Sequence, residues 1–175
     1  MTANAGGVTI AGDASGTFTN VNATGSAVRL TTSGNVTLTT VDTGIVAASG
    51  TGDYALGTVT SSTSALVQIT TGTGDDSVTL NADDKYIVSM GDGADAVVAT
   101  DTAAASVINL GDGADTLTPT AGAYQGTTDG GDGSDTVVLA TGDYAGAGVW
   151  TNIEKTQLSG HVTADAAQLD NHTTS

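Results

Sequence analysis

The chain has 175 residues and a mass of 16.9 kDa, with 25 glycines, one proline, one tryptophan, one phenylalanine and no cysteine. Three basic residues face 19 acidic ones, a net charge of −16, which excludes nucleic acid as a partner and argues against anionic membranes, because both require clusters of Lys and Arg. The lack of cysteine excludes disulfides and thiolate chemistry, and no apolar run approaches the ~18 residues that cross a bilayer.

Strand-like triplets recur along the chain with a period of about twenty residues. Small or polar residues flank each central apolar residue, which is the alternation of a half-buried strand. The central residues are Phe18, Leu38, Val59, Val78, Val97, Leu117 and Val137. A second ladder lies half a period away at Ile69, Val88 and Ile108, and Thr128 occupies the next expected place.

Two short strands and two turns per period predict an all-β fold, a right-handed parallel β-solenoid with coils of about 20 residues. A β-sandwich also fits the turn spacing, but constant phase along the chain favours the solenoid. Gly and Thr runs interrupt every helical pattern before the tail, where residues 164–169 could form a helical turn.

Four successive turns share a pattern rich in glycine and aspartate. They read Gly72-Thr73-Gly74-Asp75-Asp76, Gly91-Asp92-Gly93-Ala94-Asp95, Gly111-Asp112-Gly113-Ala114-Asp115 and Gly131-Asp132-Gly133-Ser134-Asp135. With Gly130 before it and Thr136-Val137-Val138 after it, the fourth turn satisfies G-G-x-G-x-D-x-U-x, the calcium-binding nonapeptide of RTX proteins. The other turns lack only the first glycine, which is replaced by Thr71, Met90 and Leu110.

Stacking of these turns predicts a column of carboxylates formed by Asp76, Asp95, Asp115 and Asp135. At the strand spacing of about 5 Å, neighbouring charges repel by about 1 kcal/mol in water and about 3 kcal/mol at an effective dielectric of 20. Ca²⁺ relieves this repulsion by accepting two aspartates and several loop carbonyls in each gap, which predicts about three inter-coil ions. Mg²⁺ fits less well because it demands a tight octahedron. The predicted metal-site residues are Gly72, Gly74, Asp76, Gly91, Asp92, Gly93, Asp95, Gly111, Asp112, Gly113, Asp115, Gly131, Asp132, Gly133 and Asp135.

The acids divide this single solenoid into regions. Only Asp13, Asp42 and Asp53 precede residue 71, so residues 1–70 are expected to form calcium-poor coils and residues 71–150 the calcium-binding coils. Residues 151–175 are expected to form a closing strand and a tail. Tyr54 falls at the phase of a ligand aspartate, so its turn is interpreted as structural. Glu154 is either a ligand that closes a fourth site or a solvated acid.

The turns, the Thr/Ala/Gly-rich coils and the segment at residues 152–160 together resemble RTX-type calcium-binding surface-layer (S-layer) proteins of Gram-negative bacteria, the Caulobacter type. The resemblance is good over residues 65–160 and extends to the preceding coils only in composition and period. It implies an RTX-like β-roll, type I export, folding on Ca²⁺ at the bacterial cell surface and self-assembly, with an outer-surface polysaccharide anchor in another region. Each coil carries one nonapeptide where a full RTX roll has two, so one edge is expected to be calcium-poor. Neither terminus shows a secretion signal, which leaves a fragment as one interpretation.

Catalysis is not expected, because the sequence lacks nucleophile and zinc-protease motifs and His161 and His172 are isolated. Paired carboxylates of the glycosidase type stay open, although the loop aspartates are assigned to cation binding. The predicted function is a structural extracellular protein that forms a layer or fibre. The alternatives are an RTX accessory segment of a larger secreted enzyme or toxin and an adhesin or ice-binding module, the latter suggested by Thr-x-Thr pairs. The large aromatic residues Tyr86, Tyr124 and Trp150 are expected at the rim or cap.

Overall fold

The structure, a computed structural model, describes residues 7–63, 66–81, 84–100, 106–122 and 124–169 and the backbone of 173–174. These residues form two parallel sheets, and the chain alternates between them, so the predicted parallel β-solenoid with coils of about 20 residues is confirmed.

The first sheet contains β1 (Val8–Gly12), β3 (Ala27–Thr32), β5 (Ile45–Ala48), β7 (Leu66–Thr70), β9 (Lys85–Ser89), β10 (Asp92–Gly93), β12 (Val107–Gly113), β14 (Thr127–Gly133) and β16 (Val149–Thr151). The second sheet contains β2 (Gly16–Asn22), β4 (Val36–Asp42), β6 (Tyr54–Thr60), β8 (Ser77–Leu80), β11 (Ala96–Ala99), β13 (Thr116–Pro119), β15 (Thr136–Asp143), β17 (Lys155–Thr163) and β18 (Thr173–Thr174). A short helix, α1 (Ala166–Leu169), lies where the tail pattern predicted a helical turn.

The ladder predicted at Ile69, Val88 and Ile108 is confirmed and is longer than the sequence indicated. In-register pairing of the first sheet continues it through buried residues on both sides, namely Val8, Val28, Val46, Thr128 and Trp150. A position in this ladder needs a side chain that fits between two sheets, and a buried threonine is accommodated at Thr128 because its hydroxyl is hydrogen-bonded to that of Tyr124.

The other predicted ladder is wrong at one position. Leu38 pairs with Leu56, and Leu56 with Val78, so Leu56 takes the place predicted for Val59. The register shifts between Leu56 and Thr58, since β6 has one more residue there than β8. The extra residue is Gly57, where a Cβ would lie 2.2 Å from the carbonyl oxygen of Thr39. Both Leu56 and Val59 are buried, but only Leu56 continues the ladder.

The expectation of rim or cap packing is wrong for Tyr86 and Tyr124, which lie in the core, whereas Trp150 is buried in the last coil against the closing helix. Tyr54, Tyr86, Tyr124 and Tyr144 are all buried in the core together with Trp150. The hydroxyl of Tyr86 donates to the carbonyl of Val59 at 2.8 Å, and that of Tyr54 to the carbonyl of Thr32 at 2.8 Å. Burial is tolerated because every phenol has a hydrogen-bond partner, a backbone carbonyl for Tyr54, Tyr86 and Tyr144 and the Thr128 hydroxyl for Tyr124.

The C-terminal coil is closed by β17 and α1. The Nε1 of Trp150 donates to the carbonyl of Gln168 at 3.0 Å, which ties the short helix to the last coil. His161 is exposed on β17, and His172 lies outside the described residues. Within the described part of the chain, no helix is both long and apolar enough to span a membrane.

Candidate metal centre

The four acidic turns lie on one edge of the solenoid, where each coil passes from the first sheet to the second. Strands β8, β11, β13 and β15 pair in register, with Ser77, Ala96, Thr116 and Thr136 opposite one another. Each of these residues directly follows an aspartate, so the register stacks Asp76, Asp95, Asp115 and Asp135 as the sequence predicted. We call these four residues the Asp column.

A repeated hydrogen bond links successive members of the Asp column. The backbone N–H of Asp76 donates to Oδ1 of Asp95 at 2.8 Å, and that of Asp95 to Oδ1 of Asp115 at 2.8 Å. The N–H of Asp115 donates to Oδ1 of Asp135 at 3.0 Å. Each carboxylate therefore reaches back across the gap to the preceding coil, and one of its two oxygens is satisfied by protein.

A hydrogen bond of the same kind forms at each end of the Asp column. The N–H of Tyr54 donates to Oδ1 of Asp76 at 2.7 Å, and the N–H of Asp135 donates to Oε2 of Glu154 at 2.7 Å. Tyr54 thus stands where the phase of the sequence put it, below the first aspartate. Glu154 occupies the corresponding place above the last one.

Within the described residues, the second carboxylate oxygens of the upper three aspartates have no hydrogen-bond partner. Asp95, Asp115 and Asp135 are at most 1% exposed, and the Oδ2 atom of each is buried without a hydrogen bond. An ionised carboxylate buried in this way costs several kcal/mol unless a positive charge or a donor reaches it. Three unpaired oxygens in register therefore create a row of strongly negative positions inside the edge.

Burial shifts the proton affinity of these carboxyl groups. Desolvation, together with the neighbouring carboxylates, raises the pKa of Asp95 to about 7 and that of Asp115 to about 6. Desolvation likewise raises the pKa of Asp76 and of Asp135. The column thus favours any bound species that cancels negative charge, whether a proton or a metal ion.

The backbone conformation of the glycines distinguishes the first acidic turn from the other three. Gly91, Gly111 and Gly131 have φ of 105°, 107° and 98°, and Gly93, Gly113 and Gly133 also have positive φ. A Cβ on Gly111 would lie 1.8 Å from the carbonyl oxygen of Gly91, so the turns stack too closely for any side chain there. Gly72 and Gly74 do not have positive φ, so the first acidic turn differs in backbone conformation from the other three.

The first turn also satisfies its own aspartate. Oδ2 of Asp76 accepts from the N–H of Gly72 at 3.3 Å. The Thr71 hydroxyl, which donates to the carbonyl of Met90, also lies beside this carboxyl and partly offsets the rise in its pKa. Sequence reasoning treated Thr71 only as a missing glycine and so missed this role. The substitution itself was the available signal, because a hydroxyl beside a buried acid is a donor.

The predicted outer ligands lie apart from the buried oxygens. Asp92, Asp112 and Asp132 stack in register at the tips of the turns and are exposed. The carbonyls of Gly72 and Gly91 point along the stack and accept from the N–H groups of Asp92 and Asp112 at 3.2 and 2.9 Å. In the described ranges no three His, Asp or Glu side chains converge as a metal-binding group. A cation in the column would thus rely on two carboxylates per gap, backbone oxygens and water.

No family model, no curated protein and no solved structure matches the chain. The candidate centre therefore rests on its own residues and their geometry.

Proposed function

We propose that the protein is a calcium-stabilised structural solenoid that acts outside the cell and assembles with copies of itself into a layer or fibre. The observation that carries the proposal is the row of three buried Oδ2 atoms, at Asp95, Asp115 and Asp135, that lack any hydrogen-bond partner. The β-solenoid fold itself is typical of structural and repeat proteins.

The chemistry of the row favours Ca²⁺. Ca²⁺ takes six to eight oxygen ligands in flexible geometry, whereas Mg²⁺ demands a compact octahedron. Asp76, Asp95, Asp115 and Asp135 would hold the ions in the gaps between coils, and the exposed Asp92, Asp112 and Asp132 would add negative charge nearby. Bound Ca²⁺ supplies the positive charge that a buried carboxylate otherwise lacks.

Calcium would also decide where the chain folds. The acidic coils oppose their own stacking when calcium is scarce, as in the cytosol. At a calcium concentration one hundred times the Kd, binding stabilises the folded state by about 2.7 kcal/mol. RTX-type turns support export in the unfolded state and folding at the cell surface.

The distribution of charge supports assembly through the flat faces. The acids concentrate at the turns, whereas the outer face of the first sheet carries a column of exposed Ile45, Ile87, Val107 and Val149 with Gln68 and Thr127 between them. Exposed apolar rows of this kind mark interaction surfaces. Two copies could bury these rows without bringing the acidic edges together.

Calorimetry and circular dichroism with Ca²⁺, with Mg²⁺ and with EGTA test the calcium role. We expect Ca²⁺ to raise Tm and β-sheet content, and Mg²⁺ to act more weakly. The double variant Asp95→Asn/Asp115→Asn should lose most of this response. Its matched control, Asp92→Asn/Asp112→Asn, removes the same charge from the tips of the same turns and should keep it. An unchanged β signal after chelation, or equal losses in both variants, would contradict the proposal.

Electron microscopy and sedimentation of the calcium-loaded protein test the assembly role. We expect ordered layers or fibres, and we expect Val107→Lys to suppress them by placing a charge in the apolar row. The control Thr39→Lys changes an exposed residue on the second sheet and should assemble normally. Monomers of the unmodified protein at high concentration would eliminate assembly but not calcium binding.

A further inference from the structure

The C-terminal end of the Asp column is built differently from the gaps below it. Six residues separate the paired positions Asp129 and Thr136, whereas only three separate their partners Thr151 and Lys155. The turn Asn152-Ile153-Glu154 is therefore three residues shorter than the acidic turn on which it stacks. It contains neither Gly-Asp-Gly nor an aspartate at the column position.

Glutamate compensates for the shorter turn. Oε2 of Glu154 reaches the N–H of Asp135 at 2.7 Å, which is the bond that an aspartate makes in each gap below. The extra methylene of glutamate spans the distance that the shortened backbone leaves. The gap between Asp135 and Glu154 is thus bounded by two acids, as the three lower gaps are.

The space beside the unpaired oxygen of Asp135 is also unlike that in the lower coils. In register with Gly130, the lower turns carry Thr71, Met90 and Leu110, of which Met90 and Leu110 are completely buried. A Cβ on Gly130 would lie 2.6 Å from Oδ2 of Asp135 and 2.0 Å from the carbonyl oxygen of Asn152. The absence of a side chain at Gly130 therefore lets two oxygens approach its Cα closely, one from the acidic turn and one from the turn above it.

Backbone conformation brings the second of these oxygens into place. Asn152 has φ of 52° and is the one non-glycine residue with positive φ in the described part of the chain. Its Nδ2 donates to Oδ1 of Asp129 at 2.7 Å, which anchors the left-handed turn. Asparagine adopts this conformation more readily than most residues, and the carbonyl oxygen of Asn152 lies against Gly130, which Oδ2 of Asp135 also contacts.

The local charge is negative enough to attract a cation. Asp129 and Glu154 both lie close enough to Asp135 to disfavour its ionisation, and Lys155 offsets this only in part. Oδ1 of Asp129 accepts a hydrogen bond from Asn152, so Asp129 adds negative charge near the gap and does not serve as a ligand.

We propose that a fourth divalent cation, Ca²⁺, binds in the gap between Asp135 and Glu154, held by Oδ2 of Asp135, the Glu154 carboxylate, the Asn152 carbonyl oxygen and water. This inference rests on the proposed calcium function, because the fourth site shares Asp135 with the third. An ion there would clamp β17 onto the last acidic coil. It would make the closing strand as dependent on calcium as the coils below it.

Counting bound ions by native mass spectrometry tests the inference directly. We expect the Glu154→Gln variant to bind one Ca²⁺ fewer than the unmodified protein. The control Asp13→Asn removes one charge from the opposite end of the chain and should leave the number unchanged. Glu154→Asp keeps the charge but shortens the side chain, and it should weaken binding of one ion at least tenfold.

Hydrogen exchange locates the effect and reports on folding. Ca²⁺ should slow exchange over residues 153–163 at least tenfold in the unmodified protein and should not do so in Glu154→Gln. Residues 71–140 should be protected in both, which shows that the variant is folded. Equal ion counts in Glu154→Gln and the unmodified protein would overturn the fourth site alone. No bound Ca²⁺ in the unmodified protein would overturn the proposed function together with it.

Discussion

The same edge of the solenoid is closed in two different ways in its N-terminal and C-terminal halves. In the N-terminal turns, polar side chains satisfy one another: Nδ2 of Asn35 donates to Oδ2 of Asp53 at 2.8 Å, and the N–H of Asp53 donates to Oδ1 of Asn35 at 3.0 Å. In the C-terminal turns, three buried carboxylate oxygens have no partner. The N-terminal turns thus pair their acids with polar groups of the chain, whereas the C-terminal turns leave three buried oxygens unpaired within the described residues. The proposed calcium role rests on this difference.

The two halves meet at Tyr54. Val36 lies in register below Tyr54, and Asp76 lies above it. The residue at this stacked position therefore changes from an apolar residue to a phenol and then to the acids. The phenol binds the backbone of Thr32 below, and the N–H of Tyr54 binds Asp76 above. Calcium dependence is therefore expected to begin one coil above Tyr54.

The largest effect is expected from adding a methyl group where the acidic turns touch. Gly111→Ala would place a Cβ 1.8 Å from the carbonyl oxygen of Gly91 at a φ of 107°, and the combined clash and strain should cost about 3 kcal/mol or more. Gly12 ends β1 and has a φ of 81°, but a Cβ there would meet nothing within 4 Å. Gly12→Ala should therefore cost only about 1–2 kcal/mol. Denaturant unfolding in Ca²⁺ measures both.

If Gly12→Ala proves as destabilising as Gly111→Ala, the cost comes from the left-handed backbone conformation and the close contact with Gly91 adds little. Hydrogen exchange adds a check on location, because the loss of protection in Gly111→Ala should centre on residues 91–135. The comparison between the halves would be weakened by a loss that spreads equally to residues 7–60.

Asp115→Asn is expected to change the stability by a smaller amount, and in opposite directions in the calcium-free and calcium-bound protein. Its Oδ1 can still accept from the N–H of Asp95, while the buried negative charge is gone. Because burial raises the pKa of Asp115 from 3.8 to about 6, the calcium-free variant at pH 8 should be more stable than the unmodified protein by about 2–3 kcal/mol. With Ca²⁺ the order should reverse, since Asp115 borders two gaps.

Thermal unfolding with EGTA and with saturating Ca²⁺ measures this reversal. Asp112→Asn, at the exposed tip of the same turn, is the control and should change stability little in either state. A variant that is destabilised in EGTA as well as in Ca²⁺ would show that the Asp115 charge is compensated within the polypeptide.

The sequence predicts the repeat and the stacking of this structure better than it predicts individual side-chain positions and hydrogen bonds. The twenty-residue period, the parallel register and the stacking of four aspartates follow from residues that repeat, and the structure confirms them. The choice between Leu56 and Val59 does not follow, because both are apolar and a backbone contact at Gly57 decides it. The hydrogen bond from Gly72 to Asp76 does not follow either, because a glycine occupies the same place in all four turns and the backbone conformation of the first acidic turn decides whether the bond forms.

The pH dependence of the calcium-free protein sharpens the comparison further. Desolvation and neighbouring carboxylates raise the pKa of Asp95 to about 7 and that of Asp115 to about 6, above the ordinary value of 3.8. The folded state therefore holds protons that the unfolded state releases, so the stability they contribute is complete below about pH 4 and is lost as pH rises to about 7. Calcium-free protein should be more stable at pH 5 than at pH 8.

Chemical denaturation in EGTA at several pH values measures this slope, and Asp95→Asn/Asp115→Asn should flatten it. With Ca²⁺ the slope should turn the other way, because protons and Ca²⁺ compete for the same oxygens. Greater stability at pH 8 than at pH 5 in EGTA would mean that the column is already neutralised without a metal.

The smallest effect concerns the boundary residue itself. Tyr54→Phe keeps the buried ring and removes the hydroxyl that donates to the carbonyl of Thr32 at 2.8 Å and accepts from the N–H of Thr32 at 3.3 Å, so it should cost about 1 kcal/mol. The loss should be the same in EGTA and in Ca²⁺, because the backbone N–H of Tyr54, which binds Asp76, is unchanged. Tyr144→Phe, whose hydroxyl donates to Pro119 at a longer 3.3 Å, is the matched control and should cost less. A calcium-dependent cost at Tyr54 would move the boundary between the halves down by one coil, since the phenol would then belong to the calcium-binding stack.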